Sequence, residues 1–277
     1  MLAHEVIGAC GRRGHEVRAL PRTKLDITDP RSIDAAVAGY APEAVINCAA
    51  WSDVDGAEDD ERGAMAINDT GAALLAAAAE RVGASVLYPS SDYVFDGTKT
   101  TPYVESDHTN PIGAYGRSKL GGETSVPIAN ERHFIVRASW LYGHAGKNFV
   151  ETMLQIGADR DEVLVVNDQR GCPTACVDLA EAMAKLIETD AYGIHHIAGS
   201  GSCTWFGFAQ EIFDQANYET RVMSTTTEEM GRKAPRPKYS VLVSEREPHF
   251  ELPPWQESLR RYLADRELEA REGMMQR

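Results

Sequence analysis

An α/β fold, with a doubly wound parallel sheet and a smaller C-terminal region, is what this sequence predicts. Three observations predict it. Helix-period and strand-period segments alternate through the first half of the chain, as they do when helices cover both faces of a parallel sheet. The run Ala44–Ala49 (Ala-Val-Ile-Asn-Cys-Ala) is apolar almost throughout, as a strand buried on both faces requires. Finally, 277 residues, 43% of them apolar, suffice for one large α/β domain or for a nucleotide-binding domain with a smaller partner.

Taken in order, residues 2–12 read as a helix ending at Gly14, followed by short strands at His15–Leu20 and Leu25–Ile27. Asp29-Pro30 supplies an N-cap followed by proline, so a helix begins there. After the strand at 44–49 come an alanine-rich helix over about 60–81, a strand at Ser85–Pro89 and an irregular stretch to about Pro111. A helix at 113–125 and a strand at Phe134–Ser139 complete the first half, and a soft boundary falls near residue 141. Residues 1–141 form one domain in this reading and 142–277 a second region, part of which returns to the first sheet. In that second region, strands are expected at Val163–Asn167 and Tyr192–Ala198, and helices at Val177–Glu188, Thr204–Ala216 and from about Pro254. The last ten residues or so read as a charged helical tail.

The formal charge of −14, from 42 acidic and 28 basic residues, argues against nucleic acid or an anionic membrane surface as partner. It leaves room for a small anionic ligand held by a local cluster or a helix N-terminus. No apolar stretch approaches the roughly 20 residues that span a bilayer. Met-Leu-Ala-His-Glu at the start has neither the basic residues nor the apolar core of a secretory signal, so a cytoplasmic location is expected. Five scattered cysteines and the histidines show no metal-ligand spacing, and no metal site is expected.

Chemistry concentrates in two places. Tyr115-Gly-Arg-Ser-Lys119 puts a phenol and an ammonium four residues apart, on one face of a helix. A ketone accepting hydride develops alkoxide character and needs a positioned acid, and an ammonium near a phenol lowers the phenol's pKa toward neutrality. Twenty-four residues upstream, Ser91 lies where a strand runs out into a loop, the edge at which open α/β sheets gather ligands. Its hydroxyl can stabilise charge developing on a carbonyl oxygen. Arg22 and Lys24 follow the strand expected at His15–Leu20, where an acidic residue would bind a free ribose 2′-hydroxyl, and so lean toward NADPH, with NADH as the alternative. Arg236 reads as an exposed loop arginine.

Ser91-Asp-Tyr-Val-Phe-Asp-Gly97, Tyr115-Gly-Arg-Ser-Lys-Leu-Gly-Gly-Glu123 and Arg137-Ala-Ser-Trp-Leu-Tyr-Gly143 resemble the extended short-chain dehydrogenase/reductase family, and within it the dTDP-4-dehydrorhamnose reductases. Leu25–Asp29, Asn47–Asp55, Asn148–Met153, Asn167–Thr174 and Pro235–Ser240 fit the same pattern, so the similarity covers the chain to about Leu263. The resemblance implies a Rossmann-type cofactor domain and NADPH-dependent reduction of the C4 ketone of dTDP-4-dehydro-6-deoxy-L-mannose. Tyr115 is then the proton donor, Lys119 its activator and a ribose ligand, and Ser91 the hydroxyl partner, a position at which the family often has threonine. Met1, Leu2, Asp26, Ile27, Ala50, Trp51, Ser52 and Pro89 would border the cofactor, and Asp92 and Trp140 the nucleotide sugar. A homodimer is implied as well. Two alternatives stay open: a reductase of another dTDP-4-keto-deoxysugar, and a non-catalytic regulatory subunit on the same fold.

A doubly wound nucleotide-binding domain opens with a strand and a glycine-rich turn ahead of its first helix. Here the sequence begins directly in that helix, with Ala3 at the place of the motif's last small residue. The expectation is a start placed at an internal methionine, leaving out about ten residues. The competing expectation is a protein that lacks the turn and binds cofactor poorly.

Overall fold

The computed structural model describes residues 1–275. Helix α1 (Leu2–Arg12) is followed by α2 (Pro30–Tyr40), which Asp29 caps by accepting from Arg31 N. Strand β1 (Ala44–Ile46) comes next, then α3 (Val54–Asp59), α4 (Glu61–Met65), a π-helical turn at Ala66–Gly71 and α5 (Ala72–Arg81). The single helix expected over 60–81 is therefore a broken one, with helix starting earlier. Asp53 and Asp60 each cap a new helical start, and the buried Asn68 side chain holds both the N–H and the C=O of Trp51 inside the widened turn. Strand β2 (Ser85–Ser91), α6 (Ala114–Ala129) and β3 (His133–Ala138) close the first half.

Four strands form the main sheet, all parallel, in the order β1–β2–β3–β8, and the last of them, β8 (Gly193–His196), comes from the second half of the chain. Alternation along the strands sorts the core into two layers. Leu87, Phe134 and Val136 face α1 and α8 (Cys176–Leu186), whereas Val86, Tyr88 and Ile135 face α5 and α6. A second core lies beside this sheet. It joins α7 (Phe149–Asp159), α9 (Trp205–Ala216), the start of α11 (Trp255–Met275) and the parallel pair β5 (Glu162–Val166) and β10 (Arg221–Thr225). The short strands β4 (Leu141–Tyr142) and β7 (Thr174–Ala175) pair with each other, as do β6 (Arg170–Gly171) and β9 (Cys203–Thr204). A one-turn helix, α10 (Thr227–Met230), carries a capping box between Thr226 and Glu229. Of the expected charged tail, α11 runs to Met275 and the remainder lies outside the described residues.

Two expected strands do not form. Residues 15–20 run without any ladder partner, because a groove separates them from the near edge of β1. Residues 25–27 are turn and coil. There Asp26 accepts from both the N–H and the hydroxyl of Thr28, a local side-chain bond that competes with strand pairing. No helix among the described residues is long and apolar enough to cross a membrane, and no cluster of His, Cys, Asp or Glu among them could hold a metal.

Candidate active site

The C-terminal end of β2 and the first two turns of α6 meet in one corner. Two glycines let them come that close. A Cβ on Gly116 would sit 2.2 Å from the carbonyl oxygen of Tyr93, just past β2, and one on Gly122 would sit 2.4 Å from the Tyr88 hydroxyl of β2. The N-terminus of α6 is fixed by Ala114 N donating to Glu58 Oε1 at 2.7 Å.

Tyr115 stands edge-on to Tyr93, ring centroids 5.5 Å apart, and packs with Trp51 against Ala57, Ala64 and Ala114. Burial pushes its phenol up to about 12. A hydrogen bond with Ser91 opposes the rise, and the charge of Asp92 adds to it. The phenol is thus held protonated. That differs from the sequence expectation of an ammonium lowering its pKa, and the reason is where Lys119 goes. The Lys119 side chain is buried, its Nζ donates to the carbonyl of Pro89 at 2.7 Å, and it lies 4.2 Å from the centroid of the Tyr88 ring. Burial lowers the Lys119 pKa to about 7, with the negative charge of Glu123 resisting.

Asp92 is buried between two hydroxyls: Ser91 Oγ donates to one carboxylate oxygen at 3.0 Å and Ser240 Oγ to the other at 2.5 Å. Burial still raises its pKa to about 6. Trp140, at φ 49°, stacks flat on Trp205 with centroids 3.6 Å apart, and its indole lies against Gly171, where a Cβ would be 2.5 Å from the ring. Beneath the corner, Glu123 takes a hydrogen bond from Ser90 and pairs with Arg137 at 2.6 Å, with both side chains of the pair 3% exposed.

Residues expected along a dinucleotide are not all in one place. Asp26, Ile27 and Ala50 line a cavity of about 1410 Å³ beside β1, together with Asn47 and Ala3. Pro89 reaches the site through its carbonyl on Lys119, and Trp51 through its packing on Tyr115. Ser52 is exposed. Met1 turns toward Gly143 and Cys176, and Leu2 packs into the core under α1. The donor set nonetheless suits a nicotinamide dinucleotide. The buried Nδ2 of Asn47 has no partner, and Lys119 keeps N–H groups beyond the one given to Pro89.

The "RmlD substrate binding domain" family model matches residues 1–268. A dTDP-4-dehydrorhamnose reductase of Streptomyces griseus is 44% identical over 253 residues, 89% of this chain and 83% of that protein. This chain belongs to the dTDP-4-dehydrorhamnose reductase family. The spore coat polysaccharide biosynthesis protein SpsK of Bacillus subtilis is 43% identical over 91% of this chain and 90% of its own. The crystal structure of the family's Bacillus anthracis member, in complex with NADP, superimposes with a TM-score of 0.93 at 39% identity and covers 95% of each chain.

Sequence reasoning missed several partners in this reductase-family site. Ser240 reaches Asp92 from 148 residues away. Trp205, read only as part of the helix expected at Thr204–Ala216, stacks on Trp140 and donates to Gln169 Oε1 at 3.2 Å. Arg236 is not an exposed loop arginine. Its side chain is 14% exposed, it pairs with Asp55 at 3.0 Å, and its charge opposes the burial that drives the Tyr93 phenol upward. A loop arginine flanked by two prolines was the one available hint.

Proposed function

We propose that this chain is an NAD(P)H-dependent oxidoreductase that reduces the C4 ketone of dTDP-4-dehydro-6-deoxy-L-mannose to dTDP-L-rhamnose. It acts in the cytoplasm, as a homodimer, with residues 1–141 serving the cofactor and 142–277 the nucleotide sugar. One observation carries the reading: a protonated phenol, a buried lysine and a strand-end hydroxyl share the corner where β2 meets α6, in a chain of this family.

The reduced nicotinamide, preferably that of NADPH, supplies the hydride when bound. What the chain's own residues do follows from their state. Tyr115, kept in its acid form, gives its proton to the new C4 oxygen. Ser91, whose hydroxyl proton rests on Asp92, turns it to the carbonyl oxygen as charge builds there. Lys119, anchored on Pro89, directs its remaining N–H groups to the ribose. Asp26 and Ile27 border the adenine, and Asp92 and the Trp140 face receive the sugar. The cleft at Ala50, with Asn47 Nδ2 beside it, takes the middle of the dinucleotide, which then passes Trp51 toward Tyr115.

The test is NADPH oxidation with a panel of dTDP-4-keto-6-deoxyhexoses. The expected result is turnover of the L-mannose-configured ketone, with kcat lowered about 10²–10⁴-fold by Tyr115→Phe while NADPH binding is kept. Turnover of a differently configured sugar alone overturns the substrate, and parental activity in Tyr115→Phe removes that residue from its role.

A further inference from the structure

Trp140 has its backbone at φ 49°, a left-handed conformation that is unfavourable for an L side chain and persists only where the surroundings leave it no alternative. Such positions concentrate at ligand clamps and active sites. Here the backbone is tied on both sides. Ser139 Oγ donates to Cys172 O at 2.7 Å, Thr174 N donates to Trp140 O at 3.2 Å, and Leu141 pairs with Thr174 in the β4–β7 ladder.

The indole is held as firmly as the backbone. Both of its supports come from the β6–β9 pair, in which Gly171 faces Cys203 and Arg170 faces Thr204. Gly171 is a ledge against the ring, too close for any residue with a Cβ. Trp205, the first residue of α9 after its Thr204 cap, lies flat on the ring, with 9° between the two planes.

Trp205 is itself fixed in orientation. Its N–H donates to Gln169 Oε1, Gln169 Nε2 donates to Thr227 Oγ1 at 2.9 Å, and Thr227 Oγ1 donates to Asp168 Oδ1 at 2.6 Å. Phe149 packs on the ring at 4.5 Å between centroids. Turning Trp205 would break a directional bond as well as the stack. Yet neither tryptophan of the stack is enclosed: both are half-buried, whereas Tyr142 and Phe208 of the same core are fully buried. The stack is a platform at the rim of that core.

We propose that Trp205 is a positioning residue for the nucleotide sugar: it acts through Trp140, fixing the plane of that indole and so the orientation in which the ligand is held. The proposal rests on the reading that Trp140 receives the sugar. A platform set before the ligand arrives loses no rotamer freedom on binding. Ser91 and Lys119 are held by bonds within β2, α6 and the loop after β2, so loss of the platform weakens sugar-nucleotide binding and leaves proton transfer in place.

The test measures kcat and KM for the dTDP-4-keto sugar that the protein turns over, and Kd for NADPH, in Trp205→Leu, Trp205→Phe, Gly171→Ala and Trp140→Ala. Trp205→Leu and Gly171→Ala are expected to raise KM about tenfold, with kcat and the NADPH Kd within about threefold of the parent. Trp205→Phe keeps a flat face and is expected to raise KM by about threefold at most. Gly171→Ala leaves Trp205 intact, so it decides the matter even where Trp205→Leu does not fold. Indoles stacked this closely couple their excited states. The parent is therefore expected to show a split far-ultraviolet circular-dichroism band that Trp205→Phe abolishes, and a parent without it overturns the proposal. Parental KM in both Trp205→Leu and Gly171→Ala overturns it too. So does a loss of kcat and NADPH affinity in step with KM, which would make Trp205 a packing residue. Equal harm from Trp205→Phe and Trp205→Leu overturns it as well, since the flat face would then count for nothing. Trp140→Ala separates the two levels. A raised KM there, beside parental values in the other variants, removes only the positioning role; a parental KM there removes the reading of Trp140 itself, and this proposal with it.

Discussion

The corner around Tyr115 and the groove beside α1 lie in one sheet and are built in opposite ways. In the corner, polar groups are buried and nearly all of them partnered: Glu123 with Arg137 and Ser90, Asp92 with Ser91 and Ser240, Lys119 with Pro89. Beside α1, polar contacts stay at the rim, where Arg12 pairs with Glu181 and Arg13 with Glu188, while the apolar lining is open. Burial amplifies electrostatic interactions and penalises any group left without its partner. The corner is therefore rigid and sensitive to single changes. The front end, whose ion pairs sit in water, is tolerant of them.

The largest break in this contrast is expected from Glu123→Ala. It strands the Arg137 guanidinium in a site 3% exposed and should cost about 3–5 kcal/mol in denaturant unfolding. A loss below 1 kcal/mol would place the corner in the same class as the rim. Asp92→Asn gives the next effect, through pH. The folded-state pKa of Asp92 is raised from 3.8 to about 6, so its contribution to stability is fully present below pH 3.8 and is lost as pH rises through about 6. Two pKa units correspond to about 3 kcal/mol. Relative to the parent, the asparagine variant should gain on that order between pH 4 and pH 7, and parallel stability curves would show that Asp92 is not shifted. The smallest effect is expected from Arg12→Ala, with a pair whose side chains are 58% and 36% exposed: less than about 1 kcal/mol, vanishing in 1 M salt.

The same contrast explains what could be read in advance. Ser91, Asp92, Tyr115 and Lys119 come from two short segments whose residue types state their chemistry, and the fold had only to bring a strand end beside a helix start. Ser240, Trp205 and Arg236 carry no such local signature. They reach their partners Asp92, Trp140 and Asp55 across 148, 65 and 181 residues, and only tertiary packing delivers them. Strand prediction failed for a related reason. The segments at 15–20 and 25–27 have strand-like residues, but a strand exists only with a neighbour, and Asp26 spends its carboxylate on Thr28 instead. Conversely β10, with mostly exposed side chains, showed no periodicity and forms because Arg221–Thr225 lies alongside β5.

The path of the chain through the main sheet has a practical consequence for anyone recombining this enzyme family. Residues 176–196 belong by sequence to the second half, yet α8 covers α1 and β8 is the outermost strand beside β3. A chimera spliced once at residue 141 would carry off one wall of the first core together with the second half of the chain. Exchange of second halves between relatives therefore calls for a discontinuous graft, in which 176–196 stays with the recipient and only the flanking stretches are transplanted.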